Sequence, residues 1–137
     1  MLYQEFYIHK YEWNVGVFYD TTAENAEEII DYLFDMGCGY STAKKAYKNL
    51  SSNDPNTGLT FSRNGKTCIV LGRATDRKNF AHTYVHEITH CAIHIAKAFS
   101  VGFESEELAY IAGDLGAVML PFASSYICDC CRKKELK

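Results

Sequence analysis

The sequence predicts a single α+β domain over residues 1–137, in which a short antiparallel sheet packs on helices. Three observations support this: two segments alternate like β-hairpins, several stretches repeat apolar residues at helical spacing, and no linker-like tract divides the chain. With 137 residues, 47% of them hydrophobic, the chain can bury one core. We therefore expect one folding unit.

Two hairpins are expected to form the sheet. Residues 3–19 are rich in aromatic and β-branched side chains, apart from a polar break at 10–12. Residues 59–71 show the same pattern around a turn at 63–66, whose Asn-Gly pair favours a tight two-residue hairpin turn. The chain should therefore contain four strands.

Two helices are expected between the hairpins. Thr21, followed three residues later by Glu24, forms a capping-box pattern ahead of an apolar stripe that ends at Gly37. Ser41 is the expected N-cap of a second helix, which ends at Leu50 before a polar loop.

The central motif of the sequence is the H-E-x-x-H run His86-Glu87-Ile88-Thr89-His90. The helix that carries this motif follows the second hairpin directly, and its expected N-cap is Thr75 or Asp76. Its flanks contain no Gly or Pro, so a long amphipathic helix is expected. The apolar stripe of that helix comprises Phe80, Tyr84, Ile88, Ala92, Ile95 and Phe99.

This spacing favours a metal site. On a helix, His86 and His90 lie on one face about one turn apart, close enough to bind a single Zn²⁺ together. Glu87 points to the side, where its carboxylate can take a proton from a water held by the metal. A catalytic zinc site normally has a third protein ligand. Glu106 or Glu107 can supply it, since both begin a further helix with Ser105 as its expected N-cap.

An H-E-x-x-H motif followed by a helix that begins E-x-x-A-Y resembles the gluzincin zinc metallopeptidases, especially their small phage and bacterial members. The resemblance covers residues 67–116 and implies a zincin-like fold. It also implies that His86, His90 and Glu106 bind Zn²⁺ and that Glu87 is the general base. The expected activity is hydrolysis of a peptide or protein substrate.

The sequence departs from the larger gluzincins at Tyr110, where they usually carry an Asp four residues after the ligand Glu. Another group or a backbone carbonyl must therefore orient His86. Tyr110 itself either stabilises the oxyanion or packs beneath the two helices. For His82 and His94 we expect contacts with solvent, with the ligands or with substrate.

Two other functional classes remain open from the sequence. One is a catalytically inactive zincin-like binding module or a structural-zinc interaction protein. The other is a protein whose histidines, at 82, 86, 90 and 94, form only a polar helix face. Glu87 favours the enzyme, because a purely structural zinc site needs no base beside its ligands.

Charge and hydropathy restrict the partners. A net charge of −3 and a pI near 5.9 argue against nucleic-acid and anionic-membrane surfaces. The N-terminus shows no signal-peptide pattern, so a cytoplasmic location is expected. The longest apolar stretch, Leu108–Ala123, contains Asp114 and falls short of the ~20 residues that span a bilayer.

The six cysteines fall into two groups. Cys38, Cys68 and Cys91 occur singly and are expected to be buried, reduced thiols. The dense run at residues 128–131, with cysteines at 128, 130 and 131, is expected either to bind metal or to form disulfides.

Overall fold

The computed structural model describes residues 1–127 and has an α+β fold with a four-stranded mixed sheet and, within those residues, four α-helices. Two single-turn 3-10 helices precede β2 and α1. The elements are β1 (Leu2–Ile8), β2 (Trp13–Thr21), α1 (Ala26–Asp35), α2 (Tyr40–Leu50), β3 (Gly58–Arg63), β4 (Lys66–Gly72), α3 (Arg77–Ala98) and α4 (Glu106–Ile127).

Both predicted hairpins are present, but the expectation of a wholly antiparallel sheet is wrong. The strand order is β1-β2-β4-β3, with antiparallel outer pairs and a parallel central pair of β2 and β4. β2 and β4 are the most deeply buried strands. Strands that are covered on both faces lie in the centre of a sheet. The two hairpins therefore meet through β2 and β4. These two strands run in the same direction, so they pair in parallel.

Local turn and cap signals are mostly confirmed. Asn64 and Gly65 both have positive φ (49° and 77°), as a tight hairpin turn requires, and Gly37 (φ 92°) follows the end of α1. The first cap is shifted by one residue: Thr21 is buried at the end of β2, and Thr22 instead donates its N–H to the Asn25 side chain.

The cap of α2 is also shifted, because Gly39 occupies the N-cap position and Ser41 lies within the first turn. The cap of α3 is Asp76, whose carboxylate accepts the N–H of Asn79 at 2.8 Å. Ser105 caps α4 by accepting the N–H of Leu108 at 3.2 Å. These last two caps were predicted and fix where the long helices start.

The sheet separates two hydrophobic layers. α3 and α4 pack on one face, around Val15, Val17 and Ile69. α1 and α2 cover the other face, around Phe18 and Val70. This arrangement places α3 beside both α4 and the edge strand β3, where the candidate site forms.

α4 is longer than the apolar stretch read from the sequence. By length and composition alone it qualifies as a candidate membrane span, with a mean hydropathy of 1.3, and 22% of that window is buried within the protein. One side of the helix, including Ile111, Leu115 and Met119, belongs to the core. The absence of a membrane partner therefore stays a prediction.

Candidate metal centre

The packing of α3 turns the histidine pair outward. The predicted stripe is buried from Phe80 to Ile95. Phe99, its expected last member, lies just beyond the helix and is 48% exposed, with its ring against Tyr11. With the apolar face against the sheet, His86 and His90 are exposed on the outer side.

The two imidazoles are spaced like zinc ligands. The Nε2 atoms of His86 and His90 lie 3.2 Å apart. Two zinc–nitrogen bonds of about 2.0–2.1 Å at a tetrahedral angle place their nitrogens about 3.3 Å apart. The spacing is therefore compatible with two ligands of one metal ion, and it is also the spacing of a hydrogen bond between the two rings.

Glu87 completes a three-residue group. One ligand atom each from His86, Glu87 and His90 lies within 4.8 Å of the others, and this is the group of potential ligands found within residues 1–127. The Glu87 side chain is buried, and its Oε1 accepts a hydrogen bond from the Thr60 hydroxyl at 2.9 Å. Thr60 therefore holds the carboxylate beside the histidines.

The edge strand is also shaped around this carboxylate at Gly58. A Cβ at that position would lie 2.5 Å from Glu87 Oε2 and 2.8 Å from the Thr83 methyl group. Only glycine leaves room for the observed position of the carboxylate. β3 thus fixes one oxygen by a hydrogen bond and gives space to the other.

The two candidate third ligands differ sharply in their surroundings. Glu106 is exposed and lines a groove of about 400 Å³ between α3 and α4, together with Thr89 and Ile93; it is outside the three-residue group. Glu107 instead accepts a 2.6 Å hydrogen bond from the Tyr11 hydroxyl and lies 3.4 Å from the ammonium of Lys10. The Tyr11 hydrogen bond, assisted by Lys10, lowers the pKa of Glu107.

The remaining residues singled out in the sequence flank the pair or face solvent. His82 is exposed, with its ring centroid 6.1 Å from that of His86. Tyr110 is 67% exposed, so the expectation that it packs beneath the helices is wrong. Tyr110 lies on the outer side of α4, which the core does not reach. A role of Tyr110 at an oxyanion stays a prediction.

A hydrogen-bond chain that the sequence did not reveal connects α3 to the sheet. His94 Nδ1 lies 2.6 Å from Ser62 Oγ, which lies 2.6 Å from Thr67 Oγ1, and the Trp13 indole N–H donates to Thr67 at 2.8 Å. Burial, with the cationic forms of His90 and Lys97 nearby, lowers the pKa of His94. The ring of His94 is therefore held in place by the sheet.

One sequence signal could have pointed to these contacts. In β3, the hydroxyl residues Thr60 and Ser62 alternate with Leu59 and Phe61, which pack on the opposite layer. Alternation in a strand sends the hydroxyls to one face. That face is the one against α3.

The single cysteines are confirmed as buried free thiols. Burial raises the pKa of Cys68 and of Cys91 to about 12. The expectation for the cysteine run at 128–131 lies outside the described residues.

Neither a protein-family model, nor a curated protein, nor a solved structure matches this chain.

Proposed function

We propose that this protein is a zinc-dependent peptidase in which Glu87 is the general base. The observation that supports it best is the convergence of two imidazole nitrogens at the spacing of zinc ligands with a buried carboxylate held by Thr60. A fixed base beside two potential ligands is what hydrolysis by a metal-activated water requires.

His86, His90 and Glu106 are the proposed zinc ligands, the His₂Glu set of many catalytic zinc sites. Glu106 is preferred over Glu107 because it is an exposed carboxylate that lines the same groove as Thr89, the residue before His90 in the chain. Glu107 already has Tyr11 and Lys10 as partners. Recruiting Glu107 would break both contacts.

A bound zinc ion would supply a water of lowered pKa and would polarise the carbonyl of the peptide bond. Glu87 would be the residue that accepts a proton from such a water and then donates it to the leaving amine. Because Thr60 occupies Oε1, Oε2 is the oxygen available for this transfer. β3 is an edge strand beside Glu87, so an extended peptide can pair with it and bring a carbonyl to the site.

Zinc content and peptide hydrolysis test this proposal together. Purified protein should contain zinc, and it should cleave members of an unbiased peptide library until a chelator is added. His86→Ala and His90→Ala should lose zinc, since one imidazole does not hold the ion. Glu87→Gln should retain zinc and lose hydrolysis, because an amide cannot take the proton.

Glu106→Gln and Glu107→Gln form a matched pair for the third ligand. Both changes remove one charge from the first turn of the same helix, but only Glu106→Gln should weaken zinc binding. Zinc content at the wild-type level in both His86→Ala and His90→Ala would refute the site. Full hydrolysis by Glu87→Gln would remove Glu87 from the mechanism.

A second candidate function is a zinc-binding module without hydrolysis, in which Glu87 is itself a ligand. It is favoured by one observation: Glu87 belongs to the converging group and Glu106 does not. The Glu87→Gln variant separates the two functions. A ligand role predicts loss of zinc, whereas the base role predicts retained zinc with lost activity.

A further inference from the structure

A groove lined by aromatic side chains runs between α1 and α2, which cover the face of the sheet opposite to α3 and α4. This aromatic groove has a volume of about 200 Å³. Its three aromatic side chains are open to solvent, with exposed fractions of 45% for Phe34, 76% for Tyr40 and 43% for Tyr47. The lining residues are Ile30, Phe34, Tyr40, Ala43, Lys44 and Tyr47.

The exposed aromatic area is large for so small a protein. A fully exposed aromatic side chain presents about 200 Å², so the three fractions together leave about 330 Å² in water. Apolar patches of this size on a soluble protein often mark an interaction site. Two such patches buried against each other, with the polar side chains around them, approach the ~1,200 Å² at the lower end of specific protein interfaces.

The two helices that border the aromatic groove carry opposite charges. α1 has four acidic residues and no basic one, whereas α2 has three lysines and no acidic residue. All seven side chains are exposed, and within residues 1–127 none of them forms an ion pair. The acids are Glu27, Glu28, Asp31 and Asp35, and the lysines are Lys44, Lys45 and Lys48.

Helical spacing places both signs of charge beside the aromatic groove. Asp31 precedes Phe34 by three positions on α1, so the two side chains are neighbours on the helix surface. Lys44 follows Tyr40 by four positions on α2 and itself lines the groove. The apolar centre therefore has an acidic border on one side and a basic border on the other.

We propose that the aromatic groove is the interface of a homodimer whose two-fold axis runs along the groove. Two copies can dock these faces in two symmetric ways. One places α1 against the partner's α1, which sets four acids against four. The other places each α1 against the partner's α2, which sets acids against lysines at both contacts and is favoured by charge complementarity. The proposal does not depend on the proposed function.

Light scattering after size exclusion tests the proposal on the full chain at about 1–500 µM. The measured mass should rise with concentration from 15.5 kDa towards twice that value. Tyr40→Ser should raise the dimer Kd by at least about tenfold, because the dimer loses the same exposed ring from both copies. Tyr110→Ser is the matched control, since it removes a similarly exposed tyrosine from α4, across the sheet, and should leave the Kd unchanged.

A charge exchange tests the direction of the axis. Asp31→Lys and Lys44→Glu should each weaken their own homodimer, because each sets like charges against one another at both contacts. Mixed in equal amounts, the two variants should form a heterodimer in which unlike charges face each other at both contacts, so the dimer fraction should exceed that of either variant alone. About 0.5 M NaCl should reduce this difference, since salt screens exposed charges.

The proposal is overturned if the wild-type protein stays monomeric throughout this concentration range, or if Tyr40→Ser and Tyr110→Ser change the Kd equally. A mixture that dimerises no better than its components overturns the axis, and so does a homodimer strengthened by Asp31→Lys, which indicates α1 against α1. Tyr40→Ser should keep wild-type zinc content and hydrolysis, because α3 lies on the other face of the sheet. Failure of the proposed function therefore leaves the dimer unaffected, and the reverse also holds.

Discussion

Replacing Gly58 with alanine should separate zinc binding from hydrolysis. The added Cβ would lie 2.5 Å from Glu87 Oε2, whereas ordinary contacts begin at 3.4 Å, so the carboxylate must retreat by about 0.9 Å. Glu87 is buried and hydrogen-bonded to Thr60, so this retreat moves the base from its place. A displacement of about 1 Å at a reacting group can cost about 100-fold in rate.

The expected result is a loss of about 100-fold in kcat/KM with unchanged zinc content. Zinc content should hold because His86 and His90 are exposed and neither contributes one of the three nearest atoms that a Cβ at Gly58 would meet. Overpacking should lower the free energy of unfolding by about 1–3 kcal/mol, measured in urea. Gly113→Ala is the control, since a Cβ there meets nothing within 4 Å.

A double-mutant cycle tests the cause. With Glu87→Ala in the background, the oxygen and carbon that the new Cβ would contact are gone, so Gly58→Ala should destabilise the protein less. Its contact with Thr83 remains, which sets a residual cost. Wild-type activity in Gly58→Ala would refute the argument that β3 fixes the base.

Two further predictions concern the supporting structure. Tyr11→Phe should raise the pKa of Glu107, as carboxyl NMR titration can measure, because the hydrogen bond from Tyr11 lowers that pKa in the wild-type protein. The lowered pKa stabilises the fold at pH values above the unfolded pKa of Glu107, and this contribution is lost as the pH falls through the folded pKa. An unchanged titration of Glu107 in Tyr11→Phe would contradict the hydrogen bond. Cys68 and Cys91 should resist a maleimide reagent at about pH 8 until the protein is unfolded, as peptide mass spectrometry can show; rapid labelling of both in native protein would contradict their burial.

The fold was predictable where the signals are local. The Asn64-Gly65 turn, the Asp76 and Ser105 caps and the apolar stripe of α3 each depend on residues within a few positions of one another. The parallel pairing of β2 with β4 was not predictable in this way. It is settled by which strands need burial on both faces, a property of the assembled sheet.

The candidate site was predictable to a similar extent. The spacing of His86 and His90 on a helix already implies two neighbouring imidazoles. The choice between Glu106 and Glu107 depends on contacts from the first hairpin, about a hundred positions earlier in the chain. Tyr11 and Lys10 engage Glu107, and no helical pattern around residue 106 encodes that.

The sequence by itself determined the two hairpins, the long histidine helix and the identity of the paired imidazoles, because turn chemistry and helical periodicity act over a few residues. Only the tertiary structure decided that Thr60 and Gly58 of an edge strand confine the Glu87 carboxylate. These contacts join residues far apart in the chain, and packing of α3 against the sheet brings them together.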